Sequence, residues 1–320
     1  MGAAIVIMVI VIISSYVVFN ETTSTVTNPP TVLSEVVTNV PTFPTPIRHV
    51  ITIVMENAEY SSVIGNSTST PYQNMLATTY ALAGEFYATT HPSLPNYVSL
   101  VAGSYFGISS DCQPNECSQS GKSIVDLLNQ RGLSWKEYAE SMPTNCSQTI
   151  SGPYYPKHNP FVYFTDITGN YGSGQASQYC KSHVVPLTQL SIDLANNTLP
   201  NYVFITPNIC DDSHDCSLAT GDNWLHTLVP QIINSPGFSS SVLFIVYDEG
   251  TTNLGINGSQ GGGHVACIIV SPFVKMGYRS TTQYSHYSLL ATVEAIFNLG
   301  NLGENDATAQ VMQDLFTINL

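Results

Sequence analysis

Polar side chains that suit metal binding and catalysis follow four predicted strands of this sequence, each at the point where the strand ends. Because the carboxyl ends of parallel strands share one edge of a sheet, where open α/β folds bind their ligands, we expect these side chains to meet. Adjacent carboxylates at a buried strand end repel each other, and a bound cation relieves that repulsion. The sequence therefore predicts a divalent metal site. The candidate residues are Glu56 with Asn57, His91 with Ser93, Asn208 with Asp211, Asp212, His214 and Asp215, and Asp248 with Glu249.

Each of these groups also has a simpler interpretation when it is taken alone. The pair after the first strand suits the cap of the next element, the group around Asp212 suits an Asx turn, and the pair at Asp248 suits the start of a loop. Four such groups in a chain with only 9% charged residues favour the metal site. His264 follows the run GSQGGG, and it is either a strand-start histidine or part of the site.

The segment HPSLPN, residues 91–96, places Ser93 just ahead of an apolar run that predicts a helix. A phosphate at a helix N-terminus faces free backbone N–H groups and the positive end of the helix dipole. With a cation to lower the pKa of its hydroxyl, Ser93 would be a competent nucleophile. The chain has neither the G-x-S-x-G elbow of serine hydrolases nor a P-loop, so Ser93 is the nucleophile that we predict.

Short apolar runs alternate with helical patterns from Arg48 onward, which predicts an α/β fold with a mostly parallel central sheet flanked by helices. Residues 111–185 have little periodicity and many Tyr, Asn, Gly and Cys residues, and they predict a largely irregular insertion near the site. The predicted strands are residues 49–55, 85–90, 201–206, 241–247 and 264–271, and the predicted helices are residues 71–83, 95–103, 123–132 and 286–300.

Composition narrows the function classes. The 320 residues are 43% hydrophobic, which is enough for a core, and they carry a net charge of −14 with only 8 Lys and Arg. This balance excludes general nucleic-acid binding, because a phosphate backbone needs cationic side chains. An excess of carboxylates suits a protein that works in an acidic medium, because protonation of Asp and Glu there reduces the repulsion between their charges.

The N-terminal residues and the cysteines predict export. Residues 1–20 contain an apolar run that predicts a transmembrane anchor or signal segment, residues 21–46 predict a Thr/Pro-rich stalk, and residues 47–320 predict the catalytic domain. The spacing of the seven cysteines predicts three local disulfide pairs and one buried thiol. Such disulfides would pin the insertion, and they form in an oxidising compartment. The pairs are Cys112 with Cys117, Cys146 with Cys180, and Cys210 with Cys216, leaving Cys267. Five glycosylation sequons begin at Asn20, Asn66, Asn145, Asn196 and Asn257.

Eight ordered motifs from Arg48 to Leu299 resemble those of the phosphoesterase family that contains respiratory-burst-inhibiting acid phosphatases and phosphatidylcholine-type phospholipases C, related to the alkaline phosphatase superfamily. KHNPFVYF and WKEYAESMP are most similar to its small secreted acid-phosphatase branch. The motifs are VMENAEYSSVIG, ATTHPSLPNYVSLVAGSYFG, LSWKEYAESMP, KHNPFVYF, ITPNICDDSHDC, FIVYDEG, GGGHVACIIVSP and SHYSLLATVEAIFNL.

The resemblance implies a role for each candidate residue. Ser93 corresponds to the nucleophile that becomes phosphorylated, and one divalent cation (Mg, Ca or Zn) is favoured. Relatives often have Asp-Asp or Asp-His where this chain has Asp248-Glu249. Asp212, His214 and His264 either hold a second ion or bind phosphate and donate protons. The implied metal ligands are Glu56, Asn57, Asp248, Glu249 and Asp212, the implied proton donors are His264 and His214, and the implied substrate contacts are His158, His91 and Asn96.

The sequence thus predicts an extracytoplasmic, metal-dependent acid phosphatase that hydrolyses phosphomonoesters through a phosphoserine. The catalytic domain would be membrane-anchored through residues 1–20, or secreted if that segment is cleaved. One alternative is a phospholipase C-like phosphodiesterase that uses the same centre. The other is a glycosylated surface protein without catalysis.

Overall fold

A single eight-stranded sheet forms the centre of the computed structural model, which describes residues 43–169 and 176–320. The strands are β1 His49–Met55, β2 Ala81–Tyr87, β3 Trp135–Ala139, β4 Val184–Pro186, β5 Tyr202–Thr206, β6 Ser241–Tyr247, β7 His264–Val270 and β8 Tyr278–Ser285. The helices in the described residues are α1 Tyr60–Val63, α2 Pro71–Thr79, α3 Ser93–Ala102, α4 Ile124–Gln130, α5 Thr165–Thr168, α6 Gln178–His183, α7 Thr188–Ala195, α8 Leu218–Ile233 and α9 His286–Phe297.

The strand order in the sheet is β4-β3-β5-β1-β6-β7-β2-β8. β1 lies near the middle and pairs in parallel with β5 and β6, while β3 pairs in parallel with β4 and β5. β7 runs antiparallel to its neighbours β6 and β2, and β8 is parallel to β2. The amino end of β7 therefore lies at the same sheet edge as the carboxyl ends of the other strands.

Apolar residues on both sheet faces explain why these segments become strands. Six of the seven residues in β1 and all seven in β6 are buried. Parallel strands covered on both faces lack the alternation of a half-exposed strand and read as continuous apolar runs. Helix α3 packs with α9, and α8 packs with α2 and α7. The predicted fold class, an α/β sheet that is mostly parallel and flanked by helices, is confirmed.

Three parts of the sheet differ from the prediction. The prediction lacks β8, because Tyr278–Ser285 contains no continuous apolar run. β2 begins at Ala81 rather than at residue 85, because helix α2 ends at Thr79 and the next residues pair with β7 and β8. Residues 111–185 also contribute β3 and β4 to the sheet, so the insertion is limited to the loops and short helices between them. Charged residues in WKEYA obscured β3, although Glu137 is fully buried there.

The three predicted disulfides are present, and Cys267 is a free, buried thiol. The predicted anchor or signal segment and most of the predicted stalk lie outside the described residues. Within the part of the chain that the structure covers, no helix is both long and apolar enough to span a bilayer.

Candidate active site

Backbone hydrogen bonds continue beyond the ends of β1, β5 and β6 and bring three carboxylates together. The Glu56 N–H donates to the Asp212 carbonyl oxygen at 2.9 Å, and the Asp248 N–H donates to the Met55 carbonyl oxygen at 2.9 Å. All three acidic side chains are completely buried. The central strands thus deliver Glu56, Asp212 and Asp248 to one sheet edge, as the sequence pattern predicts.

Ser93 is the first residue of helix α3, and the fold places it against the carboxylate cluster. Its Oγ donates a hydrogen bond to Glu56 Oε2 at 3.0 Å, and its side chain is buried. A serine at this position lies beside the backbone N–H groups of the helix N-terminus, of which the Leu94 N–H donates to Asp111 Oδ1 at 3.0 Å. The hydroxyl of Ser93 therefore has a carboxylate acceptor for its proton and a helix end that favours an anion.

His158 lies between two of these carboxylates rather than at an open surface. Its Nε2 is 3.1 Å from Glu56 Oε1, and its Nδ1 is 3.0 Å from Asp212 Oδ2. The ring stacks on Tyr97, with centroids 5.2 Å apart, and its side chain is 4% exposed. The structure therefore places His158 inside the carboxylate cluster. His158 could contact a substrate, as predicted, only if the substrate phosphate bound at this cluster.

Several buried polar atoms of the cluster form no aligned hydrogen bond with any described residue. A buried polar atom without a partner is costly, and a metal ion would supply the missing contacts. Glu56, His158 and His214 also each offer a ligand atom within 4.8 Å of the others. The mixed carboxylate and imidazole donors fit a divalent cation. The atoms concerned are Glu56 Oε1, Asp212 Oδ2, Asp248 Oδ2 and His158 Nε2.

Burial and mutual repulsion dominate the electrostatics of the cluster. Burial, followed by the charges of Asp248 and Asp212, raises the pKa of Glu56 well above its usual value. Burial also raises the pKa values of Asp212 and Asp248. Burial, with the nearby positive charge of Lys157, lowers the pKa of His158. His158 is thus neutral, as a metal-binding imidazole must be, and the carboxylates need a positive partner to remain ionised.

Asn57 and Glu249 extend the cluster from the two central loops. The Asn57 N–H donates to Asp248 Oδ1 at 3.2 Å, which the left-handed backbone of Asn57 (φ 52°) permits. With its nitrogen turned inward, the Asn57 amide donates to Glu56 Oε2 at 3.1 Å and Glu249 Oε1 at 3.2 Å. With its oxygen turned inward, the same amide faces only carboxylate oxygens, an arrangement that a cation between them would stabilise.

His91 and Asn96 position other groups rather than face open space. His91 Nδ1 lies 2.7 Å from Glu249 Oε2, and its Nε2 lies 2.9 Å from the Thr252 carbonyl oxygen. The fully buried Asn96 accepts from both backbone N–H groups of Thr89 and Thr90 and donates to the Thr90 carbonyl oxygen at 2.7 Å. Asn96 therefore holds the loop that precedes Ser93. The contact of Asn96 with substrate stays a prediction.

A positive side chain, Lys157, lies at the edge of the cluster. Its Nζ is 3.0 Å from Asp111 Oδ2 and 3.1 Å from His214 Nε2. Burial lowers the pKa of Lys157, but Asp111 and Glu56 raise it more, so the net pKa is above its usual value and the amine stays charged. His214 Nδ1 lies 2.8 Å from Asp215 Oδ1. His214 is thus brought to the site, as predicted.

The structure corrects the proton-donor role predicted for His264. Its ring is stacked between Tyr60 and Tyr87, with centroids 4.4 and 5.1 Å away, and its Nε2 lies 3.0 Å from the Gly84 carbonyl oxygen. These contacts engage the ring with two tyrosines and the backbone, although the amino end of β7 lies at the predicted sheet edge. A strand alternates its side chains between two faces, so an edge position alone does not define where a ring points.

The three glycines before His264 serve backbone packing instead of ion binding. The Gly262 N–H donates to the Ala88 carbonyl oxygen at 2.9 Å, and the Gly250 N–H donates to the Gly262 carbonyl oxygen at 2.7 Å. A Cβ at Gly262 would overlap the Thr90 carbonyl oxygen. The glycine run therefore joins the loop before Ser93 to the loop that carries Glu249.

Three residues of the site were missed by the sequence analysis. Tyr97 lies one helical turn after Ser93, and this i, i+4 spacing could have placed it on the same helix face. Lys157 directly precedes His158 in the motif KHNPF. Asp111 is next to Cys112, and no local sequence signal identifies it.

Known proteins resemble this chain in sequence and in fold. A model of the Phosphoesterase family matches residues 66–300. A probable acid phosphatase of Kluyveromyces lactis is 31% identical over 273 residues, which cover 82% of this chain and 61% of that protein. A phosphatidylinositol-3-phosphatase of Mycobacterium tuberculosis is 30% identical over 267 residues, which cover 82% of this chain and 80% of that protein.

The fold is shared more widely than the sequence. A solved structure of an alkaline phosphatase superfamily protein from Vibrio parahaemolyticus superposes with a TM-score of 0.53 at 12% identity. The match covers 84% of this chain and 72% of that chain. At this identity the likeness extends to the fold alone.

Proposed function

Since the chain belongs to the Phosphoesterase family, we propose that it hydrolyses phosphomonoesters with Ser93 as the nucleophile. The observation that carries the proposal is the 3.0 Å hydrogen bond from Ser93 Oγ to Glu56 Oε2 at the N-terminus of helix α3. This arrangement gives the hydroxyl a proton acceptor and gives the phosphate a positive helix end.

The chemistry of the first step follows from these contacts. Ser93 Oγ attacks phosphorus while its proton moves towards Glu56 Oε2, and the bond from phosphorus to the leaving oxygen breaks. The charged Lys157 Nζ donates a hydrogen bond to His214 Nε2, and the departing alcohol takes one proton from this hydrogen-bonded pair. Water then releases phosphate from the phosphoserine, with the same groups acting in reverse.

We propose that a divalent cation belongs to this site. A cation would lower the pKa of the Ser93 hydroxyl and neutralise charge on the phosphate. The residues that would hold it are those whose buried ligand atoms form no aligned hydrogen bond, together with the amide and carboxylate beside them: Glu56, Asp248, Asp212, His158, Asn57 and Glu249.

The proposed reaction is tested by assay and by trapping. Purified protein should hydrolyse p-nitrophenyl phosphate at acidic pH and lose this activity with a chelator, and bis(p-nitrophenyl) phosphate should be a poorer substrate. Phosphatidylinositol 3-phosphate belongs in the same panel because of the mycobacterial relative. A preference for the diester would support the phospholipase C-like alternative, and no turnover of any substrate would support the non-catalytic one.

The covalent step has its own test. Ser93→Ala should abolish phosphoserine and reduce kcat by at least about a thousandfold, as is typical when a nucleophile is removed. Ser99→Ala makes the same change two turns along helix α3 and should retain turnover. If Ser93→Ala keeps near-normal turnover while Glu56→Gln loses it, attack by water replaces the covalent mechanism.

We also propose that the catalytic domain works outside the cytoplasm. The three disulfides support this location, because such bonds form and persist in oxidising compartments. Cell fractionation with N-terminal sequencing of the purified protein distinguishes an anchored form from a secreted form.

A further inference from the structure

The carboxylate of Asp111 binds the two groups beside the nucleophile that are best suited to bind phosphate. Its Oδ1 accepts the backbone N–H of Leu94 at 3.0 Å, and its Oδ2 accepts from Lys157 Nζ at 3.0 Å. Leu94 directly follows Ser93 in the first turn of helix α3. An anionic side chain thus holds both an amide at the helix N-terminus and a charged amine.

A substrate phosphate would need these same two contacts. Backbone N–H groups at a helix N-terminus are general phosphate donors, and an ammonium is a general phosphate ligand. Lys157 lies near enough to Glu56 and Asp248 for their charges to raise its pKa. The ammonium therefore lies beside the carboxylate cluster, with 13% of the Lys157 side chain exposed.

Asp111 also adds a negative charge where the substrate brings two. Burial, followed by the charge of Asp111, raises the pKa of the nearby Glu249. A phosphate that approaches Ser93 meets this repulsion and also finds its two ligands already paired.

We propose, on the basis of the phosphatase function proposed above, that Asp111 occupies the phosphate position in the resting protein and that the substrate phosphate displaces it. Asp111 then sets the affinity for phosphate esters and for the phosphate product. Its side chain is 29% exposed, so the carboxylate is able to turn into solvent, and the phosphate would take over its contacts with the Leu94 N–H and Lys157 Nζ.

Asp111→Asn tests this role because it removes the charge and keeps an oxygen that can accept the Leu94 N–H. We expect Asp111→Asn to bind inorganic phosphate about tenfold more tightly by calorimetry, a difference of about 1.4 kcal/mol. The KM for p-nitrophenyl phosphate should fall by a similar factor, with kcat within about twofold of the wild-type value. Glu116→Gln removes a charge from the same loop and should change neither value.

Lys157→Met provides the second half of the test. In the Asp111→Asn background, Lys157 is free to bind phosphate, so Lys157→Met should remove the gained affinity. Lys122→Met, at an exposed lysine, is the control. Phosphate affinity that is unchanged or weaker in Asp111→Asn, or a gain that survives Lys157→Met, would overturn the proposal.

Calorimetry keeps this test separate from the proposed function. If the wild-type protein hydrolyses no phosphomonoester, the phosphatase proposal fails, and phosphate binding by the two Asp111 forms still decides the role of this carboxylate. If neither form binds phosphate, the role proposed for Asp111 is wrong.

Discussion

Removal of divalent cations should destabilise this protein strongly near neutral pH and much less in acid. Without a cation, burial and the neighbouring charge of Glu249 raise the pKa of Asp248 to about 8. In the unfolded chain the same carboxyl has a pKa of about 4. Between these values the folded protein binds a proton that the unfolded chain releases, so the free energy of unfolding falls as pH rises from about 4 to about 8.

The size of this loss can be worked from the shift. One pKa unit corresponds to about 1.4 kcal/mol, so the change from 3.8 to about 8 has a ceiling of roughly 6 kcal/mol. Because Asp248 shares its protons with Glu56 and Glu249, we expect a smaller net loss of about 3 kcal/mol. For a domain of this size that corresponds to a fall in Tm of about 6 to 10 °C.

A bound cation reverses the sign of the effect. It keeps the carboxylates ionised in the folded protein, so their contribution is present above pH 4 and is lost as pH falls and the ligands take up protons. The gain in Tm from Mg, Ca or Zn over chelator should therefore be several degrees larger at pH 7.5 than at pH 4.5. Differential scanning fluorimetry at fixed cation concentration measures both gains.

Two variants show whether the effect belongs to the site. Asp248→Asn should shrink the difference between the gains at the two pH values. Glu294 is a matched control. It is also buried, and burial with the charge of Asp306 raises its pKa to about 9. It lies near the carboxyl end of helix α9, outside the cluster. Glu294→Gln should therefore leave the cation-dependent difference unchanged. Equal gains at both pH values, or a larger gain at pH 4.5, would refute the reasoning.

Three further changes probe the surroundings of the site. His264→Phe should keep the tyrosine stack and retain kcat within about threefold, whereas His214→Phe should lower kcat by about a hundredfold, the size of a typical proton-transfer contribution, and phosphatase assays compare the two. Asn96→Ala should lower stability by about 2 to 4 kcal/mol, because it leaves the buried N–H groups of the loop before Ser93 without an acceptor, and urea unfolding measures this loss. Gly262→Ala should lower Tm by more than about 5 °C through the clash with the Thr90 carbonyl oxygen, and a Tm within 1 °C or so of wild type would contradict the packing.

The sequence predicts the central strands and their carboxylates because apolar runs and strand-end residues are local signals. Met55 and Tyr247 each end a buried run and are followed at once by Glu56 and Asp248. The same signals do not predict β3, because Lys136 and Glu137 interrupt its apolar run. Only the folded structure supplies their partners, Asp193 for the lysine at 2.6 Å and Thr206 for the buried glutamate.

The parts of the site that sequence could not predict depend on contacts between distant segments. The pairing of Asp111 with Lys157 joins residues 46 positions apart, and no motif links them. The direction of the His264 ring follows from the register of β7 on β2, where it lies opposite Tyr87. Side-chain direction across a sheet requires the strand register, which a single sequence does not contain.

The central position of β1 determines when this strand can pair during synthesis of the chain. This apolar strand is synthesised first, yet its two neighbours in the sheet are residues 202–206 and 241–247. At typical translation rates, roughly ten to forty seconds pass between completion of β1 and completion of β6. Both edges of β1 lack their native partners until β5 is complete, and the edge that pairs with β6 lacks its partner for the whole interval, so the nascent chain exposes an unpaired apolar strand. We therefore expect the yield of folded protein to depend on chaperones and on the rate of translation, even though the finished sheet is well packed.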